Sequence, residues 1–358
     1  MSDMVYNKAG IKFGIASVII GIVIVLSLTS NSFITPSQPL SETKSDVLRI
    51  GYFPNINHAQ AVIGVGNGDF QNTLGGIKIE SQVFNAGPAA IEALFANRID
   101  VAYVGPNPAI NGYLKSDGQG LKIIAGVSSG GAVFVVRNDS GITNVHDFAG
   151  KKFASPQLGN TQDVALRSYL LKNGYKTSEN GGNVTILPAT TADIVTMMSK
   201  KDIDGAWVPE PWGTILVKQA NGKVFLDERD LWPNGKFTTA LLVARTDYLQ
   251  SHPDVIQKLL EAHVKETTWI NNNKNESIKD FNIQLQKLTG KTIPNDVISE
   301  AFSRMEITYD PVKSSVSKSA DDAFNLGFLG SKKPDLSNIF DLSILNKVLQ
   351  EQNLSAIP

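Results

Sequence analysis

Short apolar segments and helical segments alternate along residues 47–245. Runs of strand length include VLRIGYF (47–53), IKIESQVF (77–84) and LKIIAGV (121–127). Longer runs with helical spacing lie between them, such as GPAAIEALFANR and DVALRSYLLKNG. Because strands and helices alternate in this way, the sequence predicts an α/β fold.

Two of the predicted strands echo each other in different halves of the chain. RIDVAYVGPNP (98–108) and DIDGAWVPEPW (202–212) share Ile-Asp, Ala and Val at matching positions, and each follows a helical run. In an open α/β sheet, ligands bind beyond the carboxyl ends of the strands. Two matching strand ends therefore predict a ligand cleft between two lobes.

The order of the segments predicts that one lobe is inserted into the other. We expect lobe 1 to comprise residues 47–131 plus 235–358, and lobe 2 to comprise residues 132–234. The chain would then cross between the lobes near 128–132 and again near 230–238. Two crossings form a hinge, because few residues then absorb the rotation.

The chain from residue 238 onward has a different pattern. TTALLVAR (238–245) is expected to return to lobe 1 as a strand, and helical spacing dominates from His252 onward. We therefore predict a C-terminal helical cap that packs on lobe 1.

The N-terminus also differs from the body. Lys8 and Lys12 precede an apolar run, FGIASVIIGIVIVLSL, which is long for a signal peptide and slightly short for a spanning helix. We predict a cytoplasmic stub with a transmembrane anchor or signal (1–28) and a polar linker (29–46). Because the lysines stay in the cytoplasm, the body would lie on the extracytoplasmic face. An uncleaved anchor is favoured, and a cleaved leader, giving a secreted or periplasmic protein, is the alternative.

Composition narrows the chemistry. The formal net charge is −1 over 358 residues, which argues against a nucleic-acid binder but not against a local anion pocket. The absence of cysteine excludes disulfides, thiolate catalysis and Cys-based metal sites. The four histidines are not spaced as a metal pair, so we expect neither a metal nor a cofactor.

Candidate ligand loops lie at five strand ends: Asn55–His58, Gly105–Asn107, Ser128–Gly131, Gly159–Gln162 and Pro209–Trp212. Three of them open predicted helices, whose free N–H groups favour anions. Taken singly, their Asn, Ser and Thr residues are ordinary helix caps. Taken together at one end of both sheets, they favour a ligand cleft.

Four single residues admit more than one role. Glu210 could act as a base, bind a cation or pair with an arginine, but it has no Ser, Cys or His partner nearby in sequence. Trp207, inside a strand, is expected in the core, and Trp212, beyond the strand end, in the cleft as an apolar wall. His58 either donates to an anion or caps the next helix.

Several segments resemble the substrate-binding proteins of ATP-binding-cassette importers of the nitrate/sulfonate/taurine type. Within this family, they most resemble the members that bind aliphatic sulfonates. They run from about Leu48 to about Trp269 and are IGYFPNINHAQAVIG, AGPAAIEALFANRIDVAYVGPNPAINGY, IIAGVSSGGAVFVV, GKKFASPQLGNTQDVALRSYL, DGAWVPEPWGTILV and LDERDLWPNGKFTT. The resemblance implies a periplasmic-binding-protein-like fold of type II, with two α/β lobes on a two-crossing hinge and no catalytic activity. An apolar anchor without Cys replaces the lipidated or freely soluble start of many relatives.

The resemblance also implies a site. In similar proteins, neutral N–H and hydroxyl donors from strand-end loops hold an oxyanion. Carried over by position, the ligand-binding residues are Asn57, His58, Gly105, Asn107, Ser129, Gly130, Asn160, Thr161, Gln162, Glu210 and Trp212.

The implied ligand is a small oxyanion, with an aliphatic sulfonate favoured and nitrate, bicarbonate or taurine as alternatives. The implied partners are an ABC permease, its ATPase and, through the N-terminal helix, the membrane. A more remote alternative is an enzyme on a similar fold, like a thiamine-pyrimidine synthase or a menaquinone-pathway lyase. The synthase resemblance implies a cysteine-rich motif, which this chain lacks. A receptor that senses the ligand without transporting it is a further alternative.

Overall fold

The computed structural model describes residues 47–358. The predicted anchor or signal (1–28) and the predicted linker (29–46) lie outside the described residues. Within residues 47–358, no helix combines the length and the apolar character needed to cross a membrane.

The first sheet contains the strands β1 (Val47–Tyr52), β2 (Lys78–Val83), β3 (Val101–Val104), β4 (Leu121–Gly130), β10 (Thr238–Arg245) and β11 (Met305–Ile307). In the described chain their order is β11–β4–β10–β3–β1–β2. β1 pairs in parallel with β2 and β3, whereas β10 is antiparallel to β3 and β4. Apolar clusters cover both faces, which explains why β3 is buried along its whole length.

The second sheet contains β5 (Ala132–Arg137), β6 (Lys152–Ser155), β7 (Thr185–Pro188), β8 (Gly205–Pro209) and β9 (Gly222–Asp227). Their order within the described residues is β7–β6–β8–β5–β9. The chain therefore leaves the first sheet after β4 and returns to it at β10. This arrangement confirms the predicted α/β pattern and the predicted return of residues 238–245.

Helices flank both sheets. They are α1 (Ala59–Gly66), α2 (Asp69–Leu74), α3 (Gly87–Phe95), α4 (Pro106–Lys115), α5 (Thr161–Lys172), α6 (Thr191–Ser199), α7 (Trp212–Gln219), α8 (Thr246–Ser251), α9 (Pro253–Asn272), α10 (Lys274–Thr289), α11 (Asn295–Ser303), α12 (Lys313–Asn325) and α13 (Ser343–Glu351).

The sequence echo has a structural cause. The Asp100 carboxylate accepts the backbone N–H of Arg49 at 2.9 Å, and the Asp204 carboxylate accepts that of Lys152 at the same distance. Each aspartate precedes a strand, and each ties it to the start of the parallel neighbouring strand. An arginine completes each arrangement, because Arg49 pairs with Asp100 and Arg137 pairs with Asp204. The shared Ile-Asp therefore aligns strand pairs in both sheets.

Two consecutive glycines lie where the chain crosses from β4 of the first sheet to β5 of the second sheet. Gly130 and Gly131 have φ angles of 77° and 73°, which residues with a side chain rarely adopt. The Gly131 carbonyl accepts a hydrogen bond from Asn57 Nδ2 at 3.3 Å, so the crossing is fastened to the turn after β1.

The C-terminal segment differs from the predicted cap in two ways. It contributes β11 to the edge of the first sheet and forms α12, neither of which the sequence pattern predicted. It also packs on helices beside both sheets. On the side of the first sheet, α9 contacts α1 and α2, and on the side of the second sheet, α11 contacts α7 and α12 contacts α5. The helical period shows that a face is buried but not which partner covers it.

Candidate functional site

A small polar cavity lies where elements of both sheets meet. Its volume is about 30 Å³, which holds only about one or two water-sized groups. Six of the predicted ligand-binding residues line it: Asn57, His58, Gly105, Asn160, Thr161 and Gln162. The rule that ligands bind beyond the carboxyl ends of strands (the strand-end rule) thus selected the turns after β1, β3 and β6, and the structure brings these three turns together.

Three further polar residues of the lining escaped the sequence prediction. Asn85 follows β2 and Thr191 begins α6 after β7, so the same strand-end rule would have found both. Thr239 lies inside the antiparallel strand β10 and carries no local signal. Only the assembled sheet brings it to the cavity.

Within residues 47–358, the residues that line the cavity include no charged side chain. Asn, Thr and Gln residues dominate it, and His58 is its one titratable group. Burial lowers the pKa of His58 to about 3, so the imidazole is neutral at physiological pH. The cavity therefore offers neutral hydrogen-bonding groups rather than a counter-ion.

Several of these groups are buried without a protein partner. The unpartnered atoms include Asn57 Oδ1, His58 Nδ1 and Thr161 Oγ1, on residues that are 2%, 3% and 6% exposed. A buried polar atom without a hydrogen bond costs about 1–3 kcal/mol. The lining is thus suited to a polar ligand that forms hydrogen bonds with these atoms.

The ends of two helices point to anion binding. Gly105 is the N-cap of α4 and Asn160 is the N-cap of α5, and no side-chain capping bond forms at either end. Asn55, which precedes the turn at His58, makes none either. Side-chain capping therefore does not explain why these residues occur here. Unbonded N–H groups and the helix dipole favour a negative charge at such ends.

Gly105 also has a steric role. A Cβ atom added at this residue would lie 2.3 Å from Thr161 Oγ1. The φ angle of Gly105 is −69°, so the requirement comes from close approach rather than from backbone conformation. Glycine lets the start of α4, beside the first sheet, reach the start of α5, beside the second.

Asp163 supports the turn before α5 without placing net charge in the cavity. Its carboxylate accepts hydrogen bonds from Ser155 Oγ at 2.7 Å, from the Gly159 N–H at 2.9 Å and from the Arg167 guanidinium. Asp163 is completely buried, and Arg167 compensates its charge. The sequence analysis did not single out this pair, although its i, i+4 spacing on a helix is the signal that could have found it.

Two predicted residues lie near the crossing but outside the cavity lining. Ser129 Oγ accepts a hydrogen bond from the Phe237 N–H at 3.2 Å, and the residue borders an open groove. The Gly130 carbonyl accepts a hydrogen bond from Thr239 Oγ1. Asn107 lines an adjoining cavity of about 170 Å³, which shares Thr161 with the first.

The structure gives Glu210 and Trp212 other partners. Glu210 is completely buried, accepts two hydrogen bonds from Thr214 and lies 3.1 Å from Arg304 Nε. Burial raises the pKa of Glu210, although the Thr214 bonds and Arg304 oppose this shift. Trp212 Nε1 donates to Asn55 Oδ1 at 2.9 Å, and its ring packs against an apolar cluster of the second sheet. As expected, Trp207 is in the core.

Two sheets flanked by helices, linked twice by the chain and enclosing a polar cavity, define a periplasmic-binding-protein-like fold. The alkanesulfonate-binding protein of Xanthomonas axonopodis pv. citri, bound to MOPS, has the same fold with a TM-score of 0.68 and 19% identity, covering 82% of this chain and 98% of its own. The periplasmic nitrate-binding protein of Synechocystis PCC 6803 gives a TM-score of 0.72 at 17% identity, with coverages of 86% and 89%.

The chain belongs to the NMT1-like family, whose model matches residues 41–280. A curated relative, the "Putative aliphatic sulfonates-binding protein" of Bacillus subtilis (strain 168), is 25% identical over 283 residues, which are 78% of this chain and 80% of that protein. These similarities confirm the predicted resemblance to binding proteins of nitrate/sulfonate/taurine-type importers.

Proposed function

We propose that this protein is the extracytoplasmic solute-binding component of an ABC importer for a small oxyanion, most consistent with an aliphatic sulfonate. The observation that carries the proposal is the uncharged cavity formed by Asn57, His58, Asn160, Thr161 and Gln162. The sulfonate-binding relative and the family membership support the same class. Nitrate, bicarbonate and taurine are the other candidate ligands.

Neutral donors suit this class of ligand. A sulfonate remains ionised at physiological pH and presents only hydrogen-bond acceptors. Each charge-assisted hydrogen bond contributes about 1.5–3 kcal/mol, and a helix end adds about 0.3–2 kcal/mol. These contributions oppose the cost of removing water from the anion and of ordering the protein around it.

Closure of two lobes would complete the site. We infer that residues 47–131 plus 235–358 form lobe 1 and residues 132–234 form lobe 2, with the hinge at the two crossings. The close approach of Gly105 to Thr161 supports this mechanism, because it joins helix starts from the two sheets. A permease would read the closed state and an ATPase would drive uptake, with the protein on the extracytoplasmic face of the membrane.

Binding rather than catalysis is favoured by the lining of the cavity. A general acid or base needs a group that titrates near the working pH, and in the cavity at His58 the pKa of that histidine is far below this range. Glu228, whose pKa burial raises to about 7, lines only the adjoining cavity. Nucleophilic catalysis by a thiolate is excluded, because the sequence has no cysteine. The ligand should therefore be released unchanged.

A thermal unfolding screen of the purified protein tests the proposal. The panel contains methanesulfonate, longer alkanesulfonates, taurine, nitrate and bicarbonate, with chloride at equal ionic strength as the reference. A ligand at about 100 times its Kd should stabilise the protein by about 2.7 kcal/mol. Thr161→Val should reduce this stabilisation, whereas Thr196→Val, on the exposed face of α6, should not.

The proposal fails if no oxyanion raises the melting temperature above the chloride reference. It also fails if mass spectrometry of the recovered ligand shows chemical change.

A further inference from the structure

We infer that the adjoining cavity receives the organic tail of the ligand, and that Glu228 selects tails that end in a hydrogen-bond donor. This inference rests on the proposed function and specifies its ligand. The two cavities adjoin at Thr161, which lines both. A head group near Thr161 would therefore direct its tail either toward solvent or into the second cavity.

The volumes of the two cavities favour a tail that enters the adjoining cavity. The cavity at His58 holds about 30 Å³, whereas the adjoining one holds about 170 Å³. The larger cavity lies between α5, α12, the start of α4 and the segment that returns to β10. This is the space that a ligand held between the two sheets could fill beyond its head group.

Aromatic rings form part of the wall. Trp232 and Phe237 stack with centroids 5.3 Å apart and an interplanar angle of 11°, and Tyr169 lies on the α5 side. Rings of this kind give a tail apolar contact area at a low cost in side-chain entropy.

Glu228 supplies the polar group of the wall. The residue is 3% exposed, and its carboxylate accepts the indole N–H of Trp207 at 2.7 Å and that of Trp232 at 3.3 Å. A carboxylate has about four acceptor positions, so two donors do not exhaust it. The two indole N–H donors are neutral. An ammonium or hydroxyl at the end of a ligand tail would occupy the remaining acceptor positions of the Glu228 carboxylate.

The lysines at this cavity already have an acidic partner. Lys172 of α5 lies 2.7 Å from Asp322 of α12, and Lys318 lies 3.1 Å from the same carboxylate. Lys318 also sits 4.0 Å from the centre of the Trp232 ring. Asp322 together with an ionised Glu228 balances the two ammonium groups, so the cavity has no surplus positive charge for a second anionic group.

Calorimetric titration of the purified protein with matched ligands at pH 8.5, where the Glu228 carboxyl with its pKa of about 7 is ionised, tests the inference. 3-Aminopropanesulfonate and 1-butanesulfonate have tails of the same length and differ in the terminal group, and methanesulfonate has almost no tail. We expect the wild-type protein to bind the amino compound at least about tenfold more tightly than the butyl compound. Glu228→Gln should abolish most of this preference, and Glu306→Gln, which alters an exposed carboxylate outside the lining of both cavities, should keep it.

Ala165→Met provides a second test that leaves Glu228 intact. Ala165 lines the larger cavity on α5, and methionine preserves helix propensity while filling space. The substitution should weaken both tailed ligands more than methanesulfonate.

The outcomes separate the two proposals. If no sulfonate, nitrate or bicarbonate binds, the proposed function itself is refuted. If methanesulfonate binds but the amino compound has no advantage, or keeps its advantage in Glu228→Gln, the role of Glu228 is refuted. If Ala165→Met affects all three ligands equally, the tail does not occupy this cavity.

Discussion

Replacing Glu228 by glutamine should change how the stability of this protein depends on pH. Burial raises the pKa of Glu228 to about 7 from an ordinary value of 4.5, although the bonds from Trp207 and Trp232 and the nearby charge of Lys318 lower it. Between these two pH values the folded protein binds more protons at this site than the unfolded chain does. The free energy of unfolding of the wild type therefore falls as pH rises through that window.

The magnitude follows from the same two values. A difference of 2.5 pH units, from 4.5 to about 7, corresponds to about 3 kcal/mol at 1.36 kcal/mol per unit. Glutamine has no such titration, so the wild type loses stability relative to the variant as pH rises. At low pH the variant should be less stable by about 1 kcal/mol, because its side chain offers one acceptor where Glu228 serves two indoles.

The assay is urea unfolding followed by far-ultraviolet circular dichroism at several values from pH 4.5 to 8.5. The free-energy difference, variant minus wild type, should rise by about 3 kcal/mol across the series. Glu306→Gln, which alters an exposed carboxylate, serves as the control. A difference for Glu228→Gln that stays flat with pH would refute the account of Glu228 as a buried acid that is neutral below pH 7.

Three further outcomes can be measured on the same protein. Arg304→Ala should lower the unfolding free energy by about 3 kcal/mol in urea titrations, because it leaves Glu210 buried without its cation; a loss under 1 kcal/mol would contradict this. Gly105→Ala should weaken methanesulfonate binding at least about tenfold in calorimetry, because the added methyl group displaces Thr161, and unchanged affinity would contradict that steric role. The Kd for methanesulfonate should vary less than about threefold between pH 4.5 and 6, because His58 is already neutral there and Glu228 is still protonated; an affinity that falls tenfold per unit would show that a protonated imidazole binds the anion.

The strand-end rule found much of the candidate site because it needs only local information. Asn57, His58, Gly105, Asn160 and Thr161 each follow a strand, and parallel strands bring their carboxyl ends to one edge of a sheet. The same rule selected Glu210, whose proline-flanked turn also follows a strand. There the side chain points to Thr214 and Arg304, and no local pattern marks that pairing.

The amino-acid sequence by itself determined the order of strands and helices, the turns that open helices, and the echo at Asp100 and Asp204. These features depend on residues close together in the chain, whose spacing sets helix, strand and cap.

Only the tertiary structure decided which turns meet, that Thr161 touches Gly105, that Glu228 is buried against Trp207 and Trp232, and that the C-terminal helices contact helices beside both sheets. These contacts join residues far apart in the chain. Their geometry follows from how two sheets and their helices pack, which hydrophobic periodicity leaves open.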